Sequence, residues 1–410
     1  MDNCLSCPAG AGNTPTSLAV TDLPDDVLFI ILKYLDKQSL GRLSRVCKIF
    51  YFLIGGDCVW LRHSRRSTIV QARHLDNTRV TKHLSLKEQC RTSYNWTEGH
   101  FRDVILARHS SSRIFVFHRQ LPWVQLNEDC LWMSTRNEIK CYSRRKAGFR
   151  ENKRRRLTGV LADISRFRSK DGVIAASCRD GSVCGWHTDN GEHWFYCDRL
   201  HTGEAQCVDF YDNTIISGSR DKTVKVVTVN SRHGDKEGET IICDDRVWSL
   251  SVCPDGSSFA VGTSGCCGDS ALSLFDLNSC NRLQDLPTGP RRGAGVLDIQ
   301  FDSPHTLLSC GYDTFLRLWD TRTGTCVSSW EEPFDSALYC VQSDQCNVMV
   351  TGTARHGMSR LWDKRQTEPL QQYYCGLRSS PVYSLAFDQT SLYVALDLSL
   401  HLLDFSVFSQ

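Results

Sequence analysis

The stretch Ser309-Cys310-Gly311-Tyr312-Asp313-Thr314-Phe315-Leu316-Arg317-Leu318-Trp319-Asp320 decides the fold, because degenerate copies of it recur every forty-odd residues from about Leu131 to Asp404. Ser217-Gly218-Ser219-Arg220-Asp221-Lys222-Thr223-Val224-Lys225-Val226-Val227 carries the same small residues, turn aspartate and alternating apolar run. Ala176-Ser177-Cys178-Arg179-Asp180-Gly181-Ser182-Val183-Cys184-Gly185-Trp186 is a third copy. Others run from Gly268 to Asp276, Met358 to Asp363 and Ser399 to Asp404, and the turn positions fall at Asp180, Asp221, Asp269, Asp313 and His356. Self-similarity at this period marks an array of four-stranded units, and such arrays bind partners far more often than they catalyse.

Within a unit, a short apolar run such as Val247-Trp248-Ser249-Leu250 leads to a turn, here Pro254-Asp255-Gly256, and then to the alternating run Phe259-Ala260-Val261-Gly262. Two-residue alternation bounded by turn residues reads as strands. One twisted sheet of this size cannot bury both faces, so neighbouring units must stack and share a core. From about Phe101 to Gln410 the chain resembles the WD-repeat propeller family, with seven units starting near Trp123, Asp163, Gln206, Val247, Val296, Leu338 and Val382. The resemblance implies a mainly β fold, a seven-bladed β-propeller, whose last blade takes its missing outer strand from before the first. Ile114-Phe115-Val116-Phe117 or Val104-Ile105-Leu106 would serve. A full Trp-Asp pair stands only at Trp319-Asp320 and Trp362-Asp363, and His201 is a remnant of the family's Gly-His element. The turn aspartates and strand tryptophans read as architectural.

The 410 residues, 41% hydrophobic and 23% charged, suffice for one large domain and a smaller one. A formal net charge of +2 gives no bulk reason to expect nucleic acid or a membrane as partner, and no apolar run is long enough to span a bilayer. Met1 to Ala19 is polar and Gly-rich, unlike an export leader, so the chain reads as neither secreted nor spanning. The 21 cysteines then read as free thiols in the reducing cytoplasm or nucleus. Cys4 and Cys7 form one CxxC with no second pair at zinc-finger spacing, so neither a metal nor another cofactor is expected. Cys178 and Cys310 occupy equivalent strand positions suited to packing, while Cys266 and Cys267 stand side by side in a Gly-rich loop. Asn95-Trp96-Thr97 fits the glycosylation pattern, which needs a secretory route and reads as incidental.

Between Thr21 and Arg65 the apolar period changes from two to about 3.6, marking a separate helical unit. Pro24 suits a first helical position, Asp25 and Asp26 complement the helix dipole, and Leu28, Ile31, Leu32 and Leu35 share a stripe. Asp36 is placed to cap a second helix whose face takes Leu40, Leu43, Val46, Cys47, Phe50 and Leu53 before Gly55-Gly56 stops it. Asp57 is placed to cap a short segment carrying Val59, Trp60 and Leu61. This order of apolar positions resembles the F-box, and an F-box followed by WD repeats resembles the substrate receptors of cullin-RING ubiquitin ligases. The resemblance implies a non-catalytic receptor in which Leu23, Pro24, Leu28, Ile31, Leu32, Leu35, Leu40, Val46, Phe50 and Trp60 serve docking on a Skp-type adaptor, and through it on cullin and RING subunits. Val27, Ile30, Ile49 and Phe52 lie off the main stripes, and such surplus apolar surface calls for a docking partner. The expected layout is a disordered segment at 1–20, the F-box at 21–65, a helical linker at 66–100 and the propeller at 101–410. In the linker, Ser85-Leu86-Lys87-Glu88 has capping-box spacing, and Asn95-Trp96-Thr97-Glu98-Gly99 matches the family's linker ending.

The residues just before the turn aspartates, Arg179, Arg220, Tyr312 and Arg355, are expected on one open face of the propeller. Near the same rim fall Trp248, Leu297, Tyr339 and Tyr383. Arginine mixed with aromatics is the composition of binding hot spots, so this face is expected to hold the protein substrate. Gly218-Ser219-Arg220-Asp221 resembles the context in which family members grip phosphorylated degrons; the alternative is that each arginine pairs with its turn aspartate. Arg144-Arg145-Lys146 and Lys153-Arg154-Arg155-Arg156 form a split basic run: a nuclear import signal, a patch for an acidic partner, or a solvated loop or outer strand. Ser, His, Asp and Cys are scattered among the repeats, so no nucleophile–base arrangement is expected. The rivals to the ligase reading are a WD-repeat scaffold and a hydrolase using a pocket of the propeller.

Overall fold

The computed structural model describes residues 19–65, 67–68, 70, 84–108, 121–127, 130–145, 148–229, 236–267, 270–289, 293–376 and 379–407. The Cys4–Cys7 pair, most of the segment expected to be disordered, Ile114–Phe117, Lys146 and the turn residue Asp269 lie outside them. The described residues fall into two compact units, one running to Ser67 and including Leu84–Cys90, the other comprising Thr68, Val70 and everything from Arg91 onward.

In the first unit, α1 spans Asp25–Leu32, α2 Lys37–Leu43, α3 Lys48–Gly55 and α4 Asp57–Ser64, while α5, Leu86–Glu98, contributes its first turns. Pro24 stands one position before α1, in extended conformation. The Asp36 cap forms as expected, its Oδ1 accepting the Ser39 N–H at 2.7 Å. The single second helix does not. Ser44 turns its hydroxyl back on the Gly41 carbonyl at 2.8 Å, and Cys47 is extended at φ −152°, so the chain breaks and restarts as α3. Asp57 caps a different helix from the one expected: its Oδ1 accepts the Leu86 N–H at the start of α5 at 3.0 Å. The Ser85–Glu88 box closes both ways, at 3.1 and 3.3 Å. Leu28, Leu32, Leu40, Phe50, Ile54, Val59, Trp60 and Cys90 form the core, and the Trp60 indole N–H donates to the Ile54 carbonyl at 2.7 Å.

The second unit is a β-propeller with seven four-stranded sheets among the described residues. Blades 1 to 6 span 124–151, 164–197, 205–242, 247–286, 296–331 and 338–374. Blade 7 takes its three inner strands from 384–404 and its outermost from Arg102–Arg108, where Val104 faces Leu402 and Ile105 faces His401. Of the two candidate closing segments, Val104–Leu106 is therefore the one in place. A hydrophobic cluster spans every pair of neighbouring blades, as radial stacking of half-buried sheets requires.

The innermost strands are tied by side chains that cap a neighbour's backbone. Asp209 accepts the Val252 N–H at 2.9 Å, and Asp298 accepts the Val341 N–H at 3.0 Å. Blade 2 offers the cations: Lys170 and Arg168 reach Asp209, while Arg166 reaches Asp298 at 3.2 Å, from blade 2 to blade 5. Both carboxyls are deeply buried, and burial pushes both upward. Two cations overcome it at Asp209, which is held below its ordinary range; at Asp298 burial prevails and the carboxyl lies above it.

The later part of α5 belongs to this unit. Trp96 is buried, stacked on Phe405 at 3.8 Å and edge-on to Tyr373, whose hydroxyl donates to the Trp96 carbonyl at 2.5 Å. The Asn95 amide donates to the Phe405 and Val407 carbonyls at 2.8 and 2.9 Å. That residue is inaccessible to a glycosyl carrier in the folded chain.

Candidate functional site

Loops joining second to third strands, and those leading from one blade's last strand to the next blade's first, open on the same end of an antiparallel four-stranded sheet. That end carries the expected binding residues. At the start of the innermost strand, pairing slips by one residue in blades 2 to 6, leaving Ser165, Gln206, Trp248, Leu297 and Tyr339 unpaired. A bulge of this kind re-aims a side chain out of the sheet.

Four of the expected residues meet in one arc. Trp248 lies 5.4 Å from Tyr312, Tyr312 lies 6.1 Å from Tyr339, and Tyr339 lies 6.2 Å from Tyr383, ring centre to ring centre. The first two contacts are edge to face and the third is tilted at 54°, so the four rings form one continuous aromatic row. Burial, with the Tyr339 hydroxyl alongside, pushes the Tyr312 phenol up to about 12, so it stays a neutral hydrogen-bonding group. Leu297 sits at the equivalent position in blade 5, and its carbonyl accepts from Arg166 at 2.6 Å, beneath which guanidinium lies the Trp123 ring at 4.3 Å. Arg355 is exposed and makes no ion pair with a described residue.

Phe334, 67% exposed on the loop entering blade 6, was missed in the sequence, where Pro333-Phe334-Asp335 shows no periodicity. Its loop is held by a buried ion pair. Glu332 accepts the Phe334 and Ser336 N–H groups at 2.9 and 2.7 Å through one oxygen and the Arg360 Nε–H at 2.7 Å through the other. Arg360 in turn lies 5.0 Å from the Phe334 ring.

Arg179 and Arg220 do not pair with their turn aspartates. Both converge on Glu204, at 3.4 and 3.0 Å, a residue that nothing in the repeat pattern marks. Asp180 instead accepts the Ser182 N–H, and Asp221 accepts from Thr223 and Thr202, which is turn architecture. In the basic run, Arg144 pairs with Asp388, Arg155 with Asp189 at 3.6 Å, and Arg156 with Glu138 and Glu151 at 3.3 and 2.9 Å.

The expectation of no nucleophile–base arrangement needs correction. His201 contacts the Ser217 and Thr223 hydroxyls at 2.8 and 2.9 Å, with Asp221 at 3.4 Å. His401 lies 2.9 Å from the Ser399 hydroxyl and 2.8 Å from an Asp103 oxygen. Both imidazoles are buried, and both constellations tie strands together: His401 joins blade 7 to its borrowed outer strand. Trp319 and Trp362 likewise donate to Ser309 and Thr351 hydroxyls at 2.8 and 2.9 Å. At His201 the Ser217 hydroxyl is fully enclosed, so no substrate can reach it.

On the helical unit, the docking residues named from the sequence separate by burial. Leu28, Leu32, Leu40, Phe50 and Trp60 form its core and Leu35 is half-buried, whereas Leu23, Pro24, Ile31 and Val46 are exposed. Val27, Ile30, Ile49 and Phe52, off the stripes, are exposed too, as are Tyr34 and Tyr51.

Known proteins resemble the chain in both halves. The F-box-like family profile matches residues 20–66, and that of the WD domain, G-beta repeat, matches 284–320. F-box/WD repeat-containing protein 4 of Homo sapiens is 39% identical over 94% of this chain and 93% of its own length, and that of Mus musculus is 39% identical over the same shares. Pre-mRNA-processing factor 17 of Mus musculus is 33% identical over 26% of this chain and 19% of its own length. Five helices and then seven four-stranded blades among the described residues, with 39% identity over 94% of the chain, place the chain in the F-box/WD repeat family.

Proposed function

We propose that this protein is the non-catalytic substrate-recognition subunit of an SCF-type cullin-RING ubiquitin ligase, its helical unit docking on a Skp-type adaptor and its propeller face holding the protein to be ubiquitinated. One observation carries the reading. A helical unit whose core is already closed still exposes Leu23, Val27, Ile30, Ile31, Tyr34, Val46, Ile49, Tyr51 and Phe52. Burial of each large apolar side chain contributes about 1.5–3 kcal/mol, so a few of them outweigh the cost of association. Leu28, Leu32, Leu40, Phe50 and Trp60 serve docking indirectly, by holding the helices that present the others.

The aromatic arc with Phe334 and Arg355 is the contact surface for the target protein. Arg179 and Arg220 form a second contact, where an acidic or phosphorylated segment of the target takes the place of Glu204. Ubiquitin transfer is the chemistry of the assembled complex; this chain's part is to hold the target near the charged conjugating enzyme.

The test is co-purification of the adaptor with the full chain and with the double variant Val46→Asp, Phe52→Asp. Loss of adaptor from the variant, with an unchanged melting profile, is the expected result. Full retention would leave a propeller scaffold as the better description.

A further inference from the structure

Cys266 and Cys267 are both exposed, and they are adjacent on the loop joining the second and third strands of blade 4. In other blades this loop carries Arg179, Arg220, Tyr312 and Arg355. A single carboxylate holds the two cysteines in place. Asp245 is buried, and its Oδ2 accepts the Cys266 N–H at 2.7 Å and the Cys267 N–H at 3.1 Å, while Oδ1 accepts the Arg246 N–H at 2.8 Å. The Ser264 N–H donates to the Arg246 carbonyl at 3.0 Å, so the loop and the start of the strand bearing Trp248 form one hydrogen-bonded knot. Gly265 is left-handed at φ 63°, and a Cβ there would press on Ala271 and Ala294 at 3.2 Å, so the turn presenting the thiols has little room to relax. Burial raises the Asp245 carboxyl, but the Ser264 hydroxyl and the three N–H groups outweigh it and hold the group below its ordinary range.

We propose that Cys266 and Cys267 are a redox-sensitive dithiol, oxidised by hydroperoxides to a disulfide whose formation releases the Asp245 clamp beside Trp248. One thiolate attacks the peroxide, breaking the O–O bond and giving a sulfenic acid and hydroxide. The neighbouring thiolate attacks that sulfur, forming the S–S bond and expelling a second hydroxide; with the two thiol protons, hydrogen peroxide leaves as two waters. Both sulfurs are oxidised and the peroxide oxygens are reduced. Closing an eight-membered ring across the 266–267 peptide turns that peptide and with it the Cys267 N–H, so the Cys266 and Cys267 N–H groups no longer converge on one Asp245 oxygen. Cys58, Cys326 and Cys346 are also exposed, but none has a thiol on the adjacent residue. The thiol chemistry stands independently of the ligase reading; only its effect on target capture rests on it.

The full chain is treated with hydrogen peroxide, alkylated and mapped by mass spectrometry, with amide hydrogen exchange followed in parallel. A dithiothreitol-reversible Cys266–Cys267 disulfide is expected before the other exposed cysteines are modified, with exchange at Cys266, Cys267 and Arg246 rising about tenfold. Cys266→Ser is expected to keep those amides protected under peroxide and to leave a trappable sulfenic acid at Cys267. Two free thiols after treatment, a disulfide with unchanged exchange, or equal loss of protection in Cys266→Ser would each overturn the proposal.

Discussion

His201 sits fully enclosed between hydroxyls, and burial holds its imidazole below the ordinary histidine value of 6.5 against the pull of Asp221. The folded chain then binds this proton less readily than the unfolded one, so stability rises with pH through the window below 6.5 and is lost on acidification. His201→Gln is expected to lower stability at neutral pH by about 1–3 kcal/mol and to flatten that acid limb, measured by urea unfolding between about pH 8 and pH 5. Parallel pH profiles for the two proteins would assign the limb elsewhere. Glu204→Gln removes the carboxylate on which both guanidinium groups converge. Capture of a phosphorylated target is expected to strengthen several-fold, and an unchanged pull-down would make the arginines loop supports. His201 was visible in the sequence as a motif remnant. Glu204 was not, because its role arises from two loops that meet only when blades 2 and 3 stack.

Among the elements, α5 offers the sharpest case. Its capping box and its Asn-Trp pair were both legible, since each is a local spacing. What Trp96 does depends on rings contributed by residues 373 and 405, which no local pattern announces. Trp96→Ala removes a fully buried indole, and a loss of about 3–5 kcal/mol in propeller stability is expected from denaturant unfolding. A change below 1 kcal/mol would mean that the site collapses around the gap. The break between α2 and α3 escaped the periodicity argument for a related reason. The apolar stripe continues across it, and the interruption comes from a serine hydroxyl bonding back to its own helix. For the same reason the docking list mixed core with surface: period alone identifies which residues share a stripe, while burial separates Leu32 from Ile31. Leu32→Asp is accordingly expected to unfold the helical unit, whereas Ile31→Asp leaves its circular dichroism intact and weakens adaptor capture.

For the propeller as a whole, closure is the decisive event. The strand Arg102–Arg108 pairs along blade 7 with Ser399–Asp404, some three hundred residues later, and the His401–Asp103 contact fastens it. A chain lacking residues 102–108 is expected to lose cooperative unfolding and to aggregate through the exposed edge of blade 7, seen by light scattering. Retained cooperativity would show that the packing between neighbouring blades suffices without the fourth strand of blade 7. The repeat period, the change of period near Thr21 and Arg65, and the seven units were all written in residue order, because strand alternation and helix stripes are short-range patterns. The aromatic arc draws on two repeat positions, the residue before the turn aspartate for Tyr312 and the start of the innermost strand for Trp248, Tyr339 and Tyr383, each of them a fixed place in the repeat. Which of those positions touch, which arginines are neutralised, and which strand seals the ring depended on distant segments being brought together, and a linear order of side chains carries no such distances.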